Sequence, residues 1–264
     1  MQQTHFRFYG ELNDLLPTSK RGQSCSHVFE APASVKDVIE AFGVPHTEVD
    51  LILVDGKAEA FSYLLRDGDR ISVYPAFRSL DPGLLIGLQP RSQGEIRFVL
   101  DTHLGKLAAY LRMLGFDCVH RNDCRDEELA RISASQQRTL LSRDRGLLKR
   151  AIVTRGYLLR EEQPRQQLVE VVGRFGLSRY ISPFRRCLHC NTLLEPIPED
   201  VISDRLPPKT RQYYDEFHLC RECNRLYWKG SHYKRMTRLI EHTLASLGCS
   251  DVGSERDRTS PSRS

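Results

Sequence analysis

The sequence lacks the segments that take a chain into or across a membrane. No apolar run among its 264 residues approaches membrane-spanning length. The opening stretch MQQTHFRFYG shows no signal-peptide pattern. These two absences argue against membrane-spanning and secreted proteins, so we expect a soluble cytoplasmic protein with no membrane partner.

A disulfide framework is missing as well. Four of the eight cysteines fall into two Cys-x-x-Cys pairs, Cys187 with Cys190 and Cys220 with Cys223. The other four follow no pairing pattern: Cys25, Cys118, Cys124 and Cys249. In a chain expected inside the cell, two such pairs indicate metal binding rather than disulfide bonds.

The two cysteine pairs predict a zinc ribbon at residues 183–248, closed by a C-terminal helix. The pairs are separated by 29 residues, and each is followed directly by an asparagine. Four thiolates can surround zinc as a tetrahedron, and such a closed site has no open position for a substrate. We therefore expect the zinc to be structural. Tyr227 and Trp228 follow the second pair among basic residues, and they could either stack on nucleic-acid bases or pack the ribbon.

Positive charge is scarce in the first third of the chain. Residues 1–80 carry a net charge of −3, whereas residues 81–264 carry +8. A basic C-terminal part suits a polyanionic partner such as RNA, although many soluble domains are equally basic without binding nucleic acid.

Residues 1–78 read as a small α+β domain in the order ββαββ. Strand patterns at 4–10 and 25–30 precede a helix that Ser34 can cap. A strand at 49–56 then ends in a turn at Asp55 and Gly56, and the stretch 66–77 supplies a turn and a closing strand. This order resembles the ubiquitin-like β-grasp of small sulfur carriers. Those proteins act through a free Gly-Gly terminus, but here the chain continues through Tyr74–Arg78. Sulfur transfer is therefore disfavoured, and the domain is expected to bind a protein partner or to position another domain.

Two stretches have the composition of connecting or unfolded segments. Residues 79–94 contain two prolines and three glycines and are predicted to form a linker. Residues 249–264 are polar and are predicted to form a disordered tail.

Residues 95–182 alternate strand and helix patterns, which predicts a largely parallel sheet with helices on its faces. Asp101 and Asp144 each end a strand, and Asp126 opens a helix that follows one. Because the carboxyl ends of parallel strands share one edge of the sheet, these acids are expected to converge. Converging carboxylates favour magnesium or manganese. Glu128 is a further candidate acid. The alternative is that the acids only cap helices and form turns.

Basic residues surround the acids in the sequence. Lys106, Arg112 and Arg143 could hold a phosphate backbone, although each could equally be an ordinary solvated charge.

Three segments of the sequence resemble the three acidic motifs of the Mut-seven C-terminal RNase domain. They are Leu100–Asp117, Asp126–Leu129 and Leu140–Asp144. This is a PIN-like nuclease family with a zinc ribbon after its core and often a ubiquitin-like domain before it. The resemblance implies a PIN-like α/β/α core that hydrolyses RNA, with Asp101, Asp126 and Asp144 as the ligands of a catalytic magnesium or manganese ion. The alternative is a non-catalytic RNA- or ribosome-binding adaptor that uses the basic ribbon and the β-grasp domain.

Overall fold

The computed structural model describes residues 1–75 and 96–248. The predicted linker at 79–94 and the predicted tail at 249–264 lie outside the described residues, as do the last three residues of the predicted first domain.

Strands and helices follow each other through both described ranges. The strands are β1 (Gln2–Phe8), β2 (Ser24–Phe29), β3 (Val49–Val54), β4 (Lys57–Ala58), β5 (Arg70–Pro75), β6 (Arg97–Leu100), β7 (Asp117–Val119), β8 (Thr139–Ser142), β9 (Gly156–Leu158), β10 (Glu195–Pro196), β11 (Phe217–Leu219) and β12 (Leu226–Trp228). The α-helices are α1 (Val35–Ala41), α2 (Gly105–Met113), α3 (Asp126–Ser135), α4 (Arg145–Leu148), α5 (Pro164–Phe175), α6 (Glu199–Ile202), α7 (Pro208–Tyr213) and α8 (Ser231–Ser246).

The described chain forms two compact units. The first comprises the described residues of Met1–His103 together with Arg121–Leu158. The second comprises Leu104–His120 and the described residues from Leu159 onward.

A five-stranded sheet and one helix form the N-terminal part of the first unit. Its strand order is β2-β1-β5-β3-β4, with β1 and β5 parallel and the other neighbours antiparallel. Ser34 caps α1, because its hydroxyl accepts a hydrogen bond from the Asp37 N–H. Val35, Val38 and Ile39 of α1 are buried, as helical spacing requires of one face. Apart from the additional two-residue strand β4, this is the predicted ββαββ arrangement, and we call it the β-grasp module.

The first unit also contains three parallel strands in the order β6-β8-β9. Phe98, Val99 and Leu100 of β6 and Leu140 and Leu141 of β8 are buried, which explains why these short strands read as continuous apolar runs. Helix α3 packs on β6 and β8. The predicted parallel sheet is therefore confirmed for these strands, and β6 and β8 end side by side.

In the second unit, α2 and α5 pack together and α5 also contacts α8. Gly115 ends the α2 region with a φ of 96°, and a Cβ there would lie only 2.2 Å from the Ser182 carbonyl oxygen. Only glycine fits this close approach. The C-terminal ribbon is an antiparallel sheet in the order β10-β11-β12. It has a small core of its own, formed by Ile197, Ile202, Leu206, Phe217 and Leu219.

Over the part of the chain that the structure describes, no helix combines the length and the apolar character that crossing a bilayer would require.

Candidate active site and candidate metal centre

Asp101 follows β6 directly and its carboxylate is held by two hydroxyl groups. Its backbone N–H continues the sheet by donating to the Leu141 carbonyl oxygen at 3.1 Å. The Thr102 hydroxyl donates to Oδ1 at 3.2 Å, and the Ser142 hydroxyl donates to Oδ2 at 2.7 Å. The half-buried carboxylate is thereby fixed in orientation while each oxygen retains a lone pair.

Asp144 follows β8 and is the N-cap of α4. Its Oδ1 accepts a hydrogen bond from the Gly146 N–H at 2.6 Å. Its own backbone N–H donates to the Ser142 hydroxyl oxygen at 2.9 Å. The capping expectation and the strand-end placement therefore both hold for this residue. Its exposed side chain can use the second oxygen for another ligand.

Ser142 joins the two aspartates, and sequence reasoning did not single it out. Its side chain is fully buried at the end of β8, where the hydroxyl donates to Asp101 and accepts from Asp144. A small polar residue at the otherwise apolar end of a buried strand, two positions before a predicted site acid, is the signal that could have identified it.

Replacing Ser142 by alanine is expected to destabilise the protein by about 1–3 kcal/mol, because the Asp144 N–H and Asp101 Oδ2 lose their shared partner in a buried position. Urea unfolding of Ser142→Ala measures the loss. Ser135→Ala is a matched control on an exposed helix position, where a change within about 0.5 kcal/mol is expected. Equal urea midpoints for the two variants would show that the Ser142 hydroxyl does not contribute to stability in this way.

The other two candidate acids lie in the first turn of α3. Asp126 is exposed, and its carboxylate has no hydrogen-bond or ion-pair partner among the described residues. Glu128 accepts from the Arg121 guanidinium at 2.8 Å. Burial raises the pKa of Cys124 to about 11, and hydrogen bonding to Glu128 acts in the same direction. Glu128 thus has local partners, whereas the Asp126 carboxylate faces solvent.

The structure does not gather Asp101, Asp126 and Asp144 into one tight cluster. Of the described His, Cys, Asp and Glu residues, one group of three or more brings its ligand atoms within 4.8 Å of one another, and it consists of cysteines. In this arrangement the three aspartates therefore cannot all bind one ion directly, unless they move or a water molecule bridges one of them to the ion.

Two of the three candidate phosphate contacts lie at the surface. Lys106 on α2 and Arg143 before Asp144 are both exposed. Their position permits a contact with a polyanion, so their role stays a prediction.

Arg112 is different, and here the expectation of a phosphate contact is wrong. Its side chain is only 5% exposed. Nε and Nη2 donate to the Cys118 carbonyl oxygen at 2.9 and 2.8 Å, and Nη1 donates to the carbonyl oxygens of Leu188 and His189 at 3.1 and 2.7 Å. Burial lowers the pKa of Arg112 below its ordinary value. The guanidinium therefore ties α2 to the first cysteine knuckle instead of meeting solvent.

Cys187, Cys190, Cys220 and Cys223 come together as predicted. The Sγ atoms of Cys187 and Cys223 are 3.5 Å apart, and those of Cys190 and Cys220 are 3.3 Å apart. All four lie within 4.8 Å of one another. Tetrahedral zinc with Zn–S bonds of about 2.3 Å needs sulfur separations of about 3.8 Å. The donor set and its spacing therefore fit zinc.

The two asparagines that follow the cysteine pairs explain the knuckle geometry. Asn191 and Asn224 have φ values of 73° and 56°. Asparagine tolerates this left-handed conformation better than most residues. Each asparagine N–H donates back to the carbonyl oxygen of the first cysteine of its pair, at 3.0 and 2.8 Å. The tight turn brings both sulfurs of each pair to the same point.

The surroundings of the thiols shift their pKa values in different directions. Burial raises the pKa of Cys223 to about 12, and burial also raises the pKa of Cys220. Burial opposes ionisation of Cys190 too, but hydrogen bonds with Thr192 outweigh it and lower the pKa to about 6. Several thiolates cannot share so small a volume without a positive ion, and a bound metal deprotonates its thiol ligands outright.

The aromatic residues after the second knuckle serve the ribbon. The Tyr227 hydroxyl lies 3.1 Å from Cys187 Sγ and accepts from the Leu188 N–H at 3.2 Å. Burial raises the pKa of Tyr227. Trp228 packs against the ribbon core. Of the two interpretations of these rings, the packing one describes the structure.

Two family models match the chain. The Mut7-C RNAse domain matches residues 96–240, and Mut7-C ubiquitin matches residues 1–81. Neither a curated protein nor a solved structure matches the chain. The suspected family and the mixed α/β fold class are both confirmed by these matches. The first match covers more than half of the chain. The chain therefore belongs to the Mut7-C RNAse domain family, and it carries a Mut7-C ubiquitin domain in front of that domain.

Proposed function

We propose that this chain is a divalent-metal-dependent ribonuclease that hydrolyses RNA phosphodiester bonds at a site built on Asp101 and Asp144. Membership in an RNAse domain family supports a nuclease role. The observation that carries the proposal is the Ser142 hydroxyl, which links the two aspartates at the carboxyl edge of the parallel strands. Ligands of α/β sheets bind at this edge.

The acidic residues fit magnesium or manganese by their chemistry. Carboxylate oxygens are the hard ligands that both ions prefer, and magnesium keeps several of its waters when protein-bound. Asp101 and Asp144 would hold the ion directly. Asp126, or Glu128 in its place, would reach it through a water, which agrees with the separation of the three aspartates.

Each residue of the site has a proposed task. Ser142 and Thr102 keep the Asp101 carboxylate turned toward the ion, and the α4 cap does the same for Asp144. Lys106 and Arg143 contact the RNA phosphates. When bound, the ion supplies an acidified water and neutralises charge that develops on the phosphate.

The four cysteines are proposed to hold a structural zinc ion, because the site closes with four sulfurs and leaves no open position. The β-grasp module is proposed to contact a protein partner.

The proposal is tested by cleavage of end-labelled single-stranded RNA by wild-type protein and Asp144→Asn, with manganese, magnesium or a chelator. Asparagine is as good an N-cap as aspartate, so α4 keeps its cap and only the charge is lost. Metal-dependent cutting by the wild type that Asp144→Asn lacks supports the proposal. Asp200→Asn is the control, because it removes an exposed carboxylate that is not part of the proposed site, and this variant should cut RNA normally. The fragment ladder distinguishes internal from terminal cleavage.

The second candidate is a non-catalytic RNA-binding adaptor, favoured by the basic face of α8. Lys234, Arg235 and Arg238 are exposed there, and the described part of the chain offers them no ion-pair partner. If neither wild type nor variant cuts but both bind the RNA, the adaptor replaces the nuclease.

A further inference from the structure

Arg145 stands directly after Asp144, yet its guanidinium is engaged by the β-grasp module. Its Nη1 donates to the Leu15 carbonyl oxygen at 3.0 Å and to the Gly43 carbonyl oxygen at 3.4 Å. These partners lie 130 and 102 residues away in the sequence. Gly43 leaves room for the contact, since a Cβ at that position would lie 3.2 Å from the same nitrogen. The first residue of α4 is therefore anchored to the β-grasp module, which is distant from it in the sequence.

The residue that ends α4 is anchored to the same module. Lys149, the C-cap of α4, donates through Nζ to the Glu40 carbonyl oxygen. Both ends of this four-residue helix thus contact the loop and helix around residues 40–43. A single helical turn has little stability of its own, so its position depends on such tertiary contacts.

Buried polar groups extend the contact beyond α4. His46 is 8% exposed, with Nδ1 at 2.6 Å from Glu40 Oε1 and Nε2 at 2.8 Å from the Val153 carbonyl oxygen. The fully buried Glu48 accepts from the Leu158 N–H of β9 at 2.6 Å. We call this contact, between Leu15 with residues 40–48 and residues 145–158, the docking seam.

The docking seam lies next to the Asp144 carboxylate. Asp144 is held on its N-terminal side by Ser142 and on its C-terminal side by α4, to which its own side chain is hydrogen-bonded. A shift of α4 would move the Gly146 N–H and with it the carboxylate. The β-grasp module is therefore in a position to set the geometry of this acid.

We propose that Arg145 is a positioning residue through which the β-grasp module fixes the Asp144 carboxylate, so that the module is a built-in support of the nuclease site. This proposal rests on the proposed ribonuclease function for its catalytic consequence. Its structural part, the coupling of α4 to the module, stands on the docking seam itself. Arg145 does not contact RNA in this scheme.

The test compares full-length wild type with Arg145→Ala, Arg145→Lys and Arg131→Ala. Arg131→Ala is the matched control, because it removes an exposed arginine of the same unit whose ion pair among the described residues is with Glu127 on its own helix. Amide hydrogen exchange is followed in peptides covering 143–149 and 40–48, and kcat and KM are measured for manganese-dependent RNA cleavage. Loss of a residue that orients a metal ligand typically costs about tenfold to a hundredfold in activity or metal affinity.

Arg145→Ala is expected to exchange faster in both peptides and to lose about tenfold in kcat with KM unchanged. Arg145→Lys should recover part of both effects, and Arg131→Ala should match the wild type. Unchanged exchange in Arg145→Ala overturns the proposal. A raised KM with unchanged kcat also overturns it, because Arg145 would then bind substrate. If the wild type does not cleave RNA, the proposed function fails while the exchange data still decide whether the seam couples to α4.

Discussion

Replacing Asp101 by asparagine is expected to lower RNA turnover by a factor on the order of 10²–10³, with RNA affinity nearly unchanged. Asp101 would act by holding the ion that neutralises charge developing on the phosphate, and loss of a preorganised electrostatic contribution typically has an effect of this size. Asparagine has nearly the same shape as aspartate. Its amide oxygen can still accept from the Ser142 hydroxyl, and its amide N–H can donate to the Thr102 hydroxyl oxygen in place of the bond that Thr102 now donates. The change therefore removes the charge that would hold a divalent ion and leaves the local packing intact.

The measurement is single-turnover cleavage of end-labelled RNA in manganese, together with the dissociation constant of the uncut RNA. Asp14→Asn is a suitable control, because this exposed carboxylate has no partner among the described residues. Turnover by Asp101→Asn equal to that of Asp14→Asn would remove Asp101 from the site, whereas RNA binding without turnover by either variant or the wild type would favour the adaptor. A parallel loss of RNA affinity would instead indicate that the variant is misfolded.

Removal of zinc is expected to unfold the ribbon. Structural zinc contributes on the order of 10 kcal/mol to the folding of small zinc domains. The ribbon core that would remain consists of five buried residues, too few to hold strands β10, β11 and β12 together without the metal. Without the knuckle, the Arg112 guanidinium would also lose two of its three carbonyl partners, which leaves a buried charge poorly satisfied.

Zinc content and limited proteolysis of wild type and Cys220→Ser measure this effect. The wild type should contain one zinc per chain, and Cys220→Ser or chelation should open the ribbon to protease. Cys25→Ser alters a buried cysteine of the β-grasp module and should retain the zinc. A zinc-free wild type with a protease-resistant ribbon would contradict the prediction.

Local patterns in the sequence determined much of the fold. Apolar runs predicted β6 and β8, helical spacing predicted α1, α3 and α8, and both Asn-terminated cysteine pairs predicted the knuckles. These features depend on residues within one turn or one strand of each other, where capping, periodicity and backbone preference act directly. The placement of Asp101 and Asp144 at strand ends follows from the same local signals, whereas the pairing of β6 with β8 does not.

Only the tertiary structure decided which partners the long polar side chains take. Arg112, Arg143 and Arg145 looked alike in the sequence, but Arg112 is buried against a cysteine knuckle 76 residues away and Arg145 reaches the β-grasp module. Ser142 acquired its importance only when β6 and β8 placed Asp101 beside it. The hydrogen-bond partner of an arginine or serine cannot be predicted from sequence periodicity, because it depends on packing between segments that lie far apart in the chain. The sequence by itself therefore determined the elements and the candidate acids, while the tertiary structure determined what holds those acids in place.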